Sequence, residues 1–397
     1  MYCVLQIYPV DKVIAQHYSW EEFVEKISVD EYDDGEDMSP LLEELAGLHE
    51  HPFNLNTATK DDLEQLPFLD ADEIEEILAY VYRYGPMQSL GELMLIEELD
   101  YQTRQFLALF VYVENPVEEK EKLRLKTLLK GGRHEVTSRL DVPLYKRDGY
   151  QIPEDEVLLK KPNKVYLGNS LYHNIRYTYQ YRNRLFWGFT AEKDAGEPFG
   201  SYGNKAYDAY SFHFLLKDCG KLKALALGDY RVGFGEGLVV NSDFSLGKST
   251  LFNMGDTRPS IKKFSSTSET SFFRGMAVTF RFGKVDVSAF YSYLPTDATL
   301  RKDGTVSSLK TDGLHRTLLE LSKKHNVMEQ SAGADVTWNT EYFSLGATAF
   351  YQHFSRSFSK GTELYRQYYP EGKDFLNASL HYRWHRDRFS FSGETAF

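Results

Sequence analysis

The sequence predicts an α+β chain, in which a small helical domain precedes an antiparallel β-barrel of the transmembrane type that these residues leave incomplete. Three observations carry that expectation. From about Arg133 onward, apolar and polar residues alternate with the period of a strand that has one wet face. The alternating runs are joined by connections that are short, then long, then short. Between 51 and 115, apolar residues recur instead at helical spacing. The expected divisions are an N-terminal segment with an acidic linker-helix (1–50), a helical domain (51–115), a linker (116–132) and the barrel (133–397).

Met1 to Asp11 lacks the basic start and unbroken apolar run of an export signal, although Ala15-Gln16 before His17 resembles the remnant of a cleavage region. The signal is therefore expected outside this sequence, through a misassigned start or a missing segment. Between Lys26 and Lys60 there is no Lys or Arg, while Asp30, Glu31, Asp33, Asp34, Glu36, Asp37, Glu43, Glu44 and Glu50 accumulate. Such a run reads as a solvated linker-helix. Beyond it, Thr59 with Asp62, and Asp70 with Glu73, have the spacing of helix N-caps. Ile74, Ile77, Leu78 and Val81 then form an apolar stripe, and Gly85-Pro86 ends it. Ser89 with Glu92 is expected to open a third helix, and Leu99-Asp100 a fourth that carries Phe106, Leu107 and Phe110.

In the second part, His173 to Arg182 puts apolar or aromatic residues on odd positions; after Asn183-Arg184, Leu185, Trp187, Phe189 and Ala191 continue the pattern. Met276 to Phe282 turns at Gly283-Lys284 into Val285 to Tyr291. Ala332 to Trp338 turns at Asn339-Thr340-Glu341 into Phe343 to Tyr351, and Leu376 to Trp384 turns at His385-Arg386-Asp387 into Phe389 and Phe391. Long polar connections occupy 194–205, 241–270, 294–328 and 354–374. Short turns on one rim and long loops on the other are the layout of an outer-membrane barrel, and strands of about ten residues suit a tilted crossing. Tyr172, Trp187, Tyr207, Tyr293, Trp338, Tyr342 and Trp384 sit at strand ends, where an interfacial girdle belongs. Arg176, Arg182, Glu192, Arg281, Asp335, His381 and Arg383 fall on the inward face, tolerable in a wet lumen and costly in a dry core.

About eleven strands are expected, the first near 134–142. Single-chain bacterial barrels have even strand numbers and no open edge in lipid, so the native polypeptide is expected to continue past Phe397, and these residues to form an open sheet.

No run of about twenty apolar residues exists, which excludes helical membrane spans. A net charge of −12 argues against a general nucleic-acid binder. Cys3 and Cys219 read as free thiols. No metal-ligand spacing, cofactor motif or catalytic constellation emerges. Gly233, Gly235 and Gly237 have nucleotide-loop spacing, but no helix pattern follows, so a strand bend is the expected role.

Asn54 to Val113 resembles the tandem helix-hairpin-helix module of ComEA-like competence proteins, through Asn56-Thr57-Ala58 followed by Leu63 and Leu66-Pro67. The resemblance implies hairpin contacts at Phe68, Leu69, Asp70, Leu99 and Asp100. In DNA-binding members hairpin glycines lay their amides against phosphate; here those glycines are absent, and Asp72, Glu73, Glu75, Glu76, Glu97 and Glu98 surround the hairpins. With Gly228 to Leu238 and Arg274-Gly275 in barrel-like strands, the whole chain resembles helix-hairpin-helix/β-barrel proteins of Bacteroidetes. The implied function is a non-enzymatic channel, transport or assembly component of the outer membrane, with the helical module in the periplasm. The implied partners are outer-membrane lipid and a periplasmic protein, with DNA disfavoured. A DNA-uptake protein and an outer-membrane hydrolase are the alternatives.

Overall fold

Asparagine side chains stitch the first of two units into which the computed structural model divides, Met1–Glu118 and Glu119–Phe397. The structure describes residues 19–30, 39–50, 52–114 (without 59 and 64), 131–145, 149–150, 163–181, 184–242 (without 205), 260–340 (without 268 and 269), 342–360, 368–386 and 389–397. The expected Thr59 cap, Arg182, Cys3 and most of the expected 116–132 linker lie outside these residues.

The first unit runs α1 (Trp20–Asp30), α2 (Ser39–Glu50), β1 (Phe53–Asn54), α3 (Lys60–Leu63), α4 (Ala71–Tyr84), α5 (Tyr101–Leu107) and β2 (Val111–Tyr112). The Asn56 amide binds Met87 both ways, donating to its carbonyl at 2.9 Å and accepting from its N–H at 2.7 Å. Asn54 donates to the Glu114 carbonyl at 2.9 Å, and β1 pairs in parallel with β2. The opening motif thus ties the start of this stretch to its end. Asp70 and Glu73 form a reciprocal capping box on α4, and Asp100 caps α5. Gly85, at φ 86, ends α4 where a side chain would be strained.

One expectation needs correction. Ser89 makes no cap; residues 90–95 form a 3-10 turn, because the Glu92 carboxylate accepts from Gln88 N–H at 2.7 Å and from the Tyr80 hydroxyl. Of the expected acidic linker-helix, Glu31, Asp33, Asp34, Glu36 and Asp37 lie outside the described residues, and the helices α1 and α2 on either side of them carry residues packed into the unit. Phe23 of α1 packs edge-on to Phe68, Phe106 and Phe110 at 5.7, 4.9 and 5.1 Å, and Trp20 stacks on His49 at 4.9 Å. Burial of these rings holds α1 and α2 to the rest of the unit.

The chain is mostly β, with one large sheet and few helices. The second unit contributes β3 (Arg133–Asp141), β4 (Tyr172–Tyr181), β5 (Leu185–Lys193), β6 (Ala209–Cys219), β7 (Leu222–Phe234), β8 (Val240–Asn241), β9 (Ser260–Lys263), β10 (Phe273–Phe282), β11 (Val285–Thr296), β12 (Ala298–Leu300), β13 (Val306–Leu309), α6 (Leu318–Leu321), β14 (Val327–Asn339), β15 (Phe343–Phe358), β16 (Gly372–Arg386) and β17 (Phe389–Ala396). The long strands form one antiparallel meander in the order β3-β4-β5-β6-β7-β10-β11-β14-β15-β16-β17. Each strand pairs with the next long strand in sequence, so the short turns fall on one rim and the long connections on the other. The Gly283-Lys284 turn joins β10 to β11 as expected, whereas β16 continues through His385 to Arg386, which pairs with Phe389. The 294–328 connection is not a bare loop: β12, β13 and α6 are built in it, and β13 docks beside the end of β15.

No sheet closes. Among the described residues β3 pairs only with β4 and β17 only with β16. The sheet nevertheless curls. On β17, Glu394 accepts from the backbone N–H groups of Glu236 and Leu238, just past β7, at 2.9 and 3.0 Å. Six strand spacings separate these elements in the sheet, about 29 Å if it were flat. Gly235 and Gly237, at φ 60 and 84, give the turn that presents those amides.

Candidate functional site

From β10 to β16 the strand alternation resolves into two faces of opposite chemistry. Asp286, Ser288, Asp335, Thr337, Thr348 and His381 are buried. Their outward neighbours Val336, Trp338, Leu345, Tyr351, Leu380 and Trp384 are exposed, Leu380 by 54%. Asp335 has no exposed surface. Its carboxylate accepts from the hydroxyls of Thr337 at 2.7 Å and Thr348 at 2.8 Å and meets His381 Nε2 at 3.0 Å. His381 lies on β16 and Asp335 on β14, so the imidazole crosses β15. It can do so because its cross-strand partner there is Gly346, whose absent Cβ would overlap the ring.

Of the residues expected on the inward face, Asp335, His381 and Arg383 are buried, and Arg176, Glu192 and Arg281 are half-buried. Arg281 makes a two-pronged pair with Asp286 at 2.6 and 2.8 Å. Glu192 accepts from the Tyr172 hydroxyl at 2.7 Å. The inner face is less polar than its alternation suggests. Phe186, Tyr230, Val232, Phe234, Phe290 and Phe350 form an apolar cluster there, with Phe290 and Phe350 stacked at 5.9 Å. Bulky aromatic side chains fill part of the concavity that the curl creates.

The long-loop rim carries a second cluster that the sequence did not reveal. His315 is buried between two carboxylates, with Nδ1 2.6 Å from Asp208 and Nε2 2.5 Å from Asp297. Its backbone N–H donates to Glu197 at 2.8 Å, Lys324 donates to Asp208 at 2.8 Å, and His325 N–H donates to Asp297 at 2.7 Å. These residues come from the β5–β6 and β11–β14 connections, so the cluster clamps two loops together. Burial opposes charge on His315, but its hydrogen bonds to Asp208 and Asp297 outweigh this and raise its pKa to about 10. Burial likewise opposes the charge on Asp208, yet His315 and Lys324 hold its pKa down at about 2. Glu197 is pushed up to about 7 by burial and by the nearby Asp208 charge.

Glu197, Asp208 and His315 offer donor atoms within 4.8 Å of one another, the spacing of a cation site. Their chemistry favours a proton instead. With both ring nitrogens directed at carboxylates, His315 is an imidazolium without a lone pair for a metal. For the same reason it is not placed as the base of a Ser-His-Asp relay, which needs one ring nitrogen facing a hydroxyl.

These shifts set a pH window. Glu197 takes up a proton near pH 7 when folded but only near 4.5 when unfolded, so stability rises as pH falls through that range. The His315 contribution is complete below 6.5 and is lost as pH rises towards about 10. The Asp208 contribution is present above 3.8 and is lost as pH falls towards about 2. The clamp is therefore expected to be tightest between about pH 4 and 6. Hydrogen-exchange protection at His315 and His325, corrected for intrinsic rates, should fall between about pH 6 and 9; a flat profile would contradict this account.

The hairpin residues of the first unit are occupied in packing. Leu69 and Leu99 are buried, Phe68 lies in the aromatic cluster with Phe106 at 5.6 Å, and the Asp70 and Asp100 carboxylates cap α4 and α5. Cys219 is a free thiol. No known protein family matches the chain, and no curated protein does.

Proposed function

We propose that the chain is an outer-membrane β-barrel protein with a periplasmic helix-hairpin-helix module, acting as a non-enzymatic transport or assembly component. One observation supports this above the others: the long strands of the second unit bury Asp, Ser, Thr and His while exposing Val, Leu, Tyr and Trp. In water both halves of that arrangement cost free energy; in lipid the outward face is solvated and the inward face has its hydrogen bonds. Trp338 and Trp384, both exposed at the short-turn ends of β14 and β16, fit an interfacial girdle. The aromatic cluster inside the curl favours a filled or narrow interior over a wide pore.

Fractionation of cells tests the reading, with the protein expected in outer membranes and resistant to urea extraction. Protease added to intact cells should cut within 294–328 and spare Gly283-Lys284. Ala347 is exposed on β15 between Val336 and Leu380. Ala347→Arg should cost about 2–4 kcal/mol of stability in lipid, whereas an exposed soluble sheet would tolerate it within about 0.5 kcal/mol. A near-neutral result, with the protein in the soluble fraction, would reject the membrane assignment.

For the module we propose docking to a periplasmic protein, and not to DNA. Its Asp70 and Asp100 carboxylates serve as helix caps, Leu69 and Leu99 are buried and Phe68 packs on Phe106, which leaves no cradle of free amides for phosphate among the described residues. Titration with duplex DNA in about 0.15 M salt is expected to show no submicromolar binding; tight, salt-dependent binding would revive the DNA-uptake alternative.

A further inference from the structure

On the inner face of β4–β6 three polar atoms, Thr190 Oγ1, Ser211 Oγ and His213 Nδ1, are buried without a hydrogen-bond partner. Thr190 is directly cross-paired with Arg176 on β4 and with Ser211 on β6, so the three side chains form a row on one face. Cross-strand neighbours of this kind stand about 5 Å apart. Two residues along β6, His213 sits opposite Gly188, where an added Cβ would come within 2.6 Å of the imidazole Cε1. The missing Cβ lets the ring lie over β5, beside Thr190. Thr190 and His213 are buried, at 2% and 1% exposure, yet Thr190 Oγ1, Ser211 Oγ and His213 Nδ1 have no hydrogen-bond partner. Buried polar atoms in that condition cost free energy unless something fills the site.

The surrounding charge is positive. Arg176 stands in the row itself, and Lys263 Nζ lies 5.3 Å over the Phe186 ring, on the same face of β5. Both cations are within electrostatic reach of His213. Glu192, two residues along β5 on the same face, is a carboxylate that also accepts from the Tyr172 hydroxyl, so the two cations outnumber the one acid.

Histidine chemistry narrows the ligand further. His213 is hydrogen-bonded to the backbone of Phe264. Because Nδ1 has no partner, that bond is made by Nε2, and the neutral ring carries its proton there. Nδ1 then presents a lone pair. A fitting solute offers one donor to Nδ1, oxygens to the Thr190 and Ser211 hydroxyls, and negative charge to Arg176 and Lys263.

We propose that this row is a binding site for a phosphate group that retains a proton, such as hydrogen phosphate, on the concave face of the sheet. The proposal goes beyond the membrane assignment and does not depend on it. Its test is calorimetric titration of the full chain in zwitterionic detergent with inorganic phosphate, and separately with sulfate, which carries no proton at neutral pH. Saturable phosphate binding is expected, with sulfate weaker. The near-isosteric Thr190→Val/Ser211→Ala double variant should lose affinity at least about ten-fold, the scale of one lost hydrogen bond to a charged group. Unchanged circular dichroism would establish that the variant folds; Ser211→Ala alone serves if it does not, and should weaken phosphate while leaving sulfate less affected. No saturable binding, equal binding of the two anions, or phosphate affinity unchanged in the variants, an adventitious ion only, would each overturn the proposal.

Discussion

Replacing His315 with alanine is expected to destabilise the second unit by about 3–5 kcal/mol, the scale for removing one member of a buried ion cluster. Asp208 and Asp297 would each lose a hydrogen bond of 2.5–2.6 Å, and Asp208 would keep Lys324 and the Asn204 amide. Equilibrium unfolding in detergent should register the loss. Limited proteolysis should localise it to the β11–β14 connection, because the backbone link from His315 to Glu197 joins that connection to the β5–β6 loop. The paired strands below retain their ladders, so the circular dichroism of the sheet should persist. Adding Asp208→Asn to His315→Ala should then cost little more, since the stranded charge is what makes the single variant costly. A change below about 1 kcal/mol would mean that water or rearrangement satisfies the cluster.

Gly346→Ala is the second large effect, expected at about 2–5 kcal/mol from overpacking plus a severed buried hydrogen bond. The new methyl would overlap Cε1 and Nε2 of His381 and come within 2.7 Å of Thr337 Oγ1. His381 must then leave Asp335, which has no exposed surface and keeps only its Thr337 and Thr348 hydroxyls. A double variant with His381→Ala should recover the steric part, giving a coupling of about 1 kcal/mol or more in the double-mutant cycle. Additive losses would show that the ring does not cross β15 at Gly346.

The sequence by itself determined the strand ladder. Period-two alternation located ten-residue strands from His173 to Phe391, since a chain with unlike surroundings on its two faces must alternate. It also determined the α4 capping box, because a cap depends on residues three apart. The polar residues Asp335 and His381 were legible as inward-facing for the same reason. Local pattern failed where partners were distant. The short strands β12 and β13 exist through docking against β15 and lie in a stretch without periodicity. The role of α1 was hidden because an acidic composition says nothing about where one buried phenylalanine goes.

Only the tertiary structure decided the sites. Asp208 and His315 are 107 positions apart and meet because long connections fold over one rim. His381 reaches Asp335 through a glycine gap on a third strand, and Thr190, Ser211 and His213 become neighbours only through register. Part of the aromatic filling of the inner face follows from register too: Phe290 and Phe350 are both cross-strand partners of Gly333 on β14 and meet over its missing Cβ. Alternation assigns a residue to a face; what that residue meets depends on register and curvature, which are set by contacts between strands and not within them.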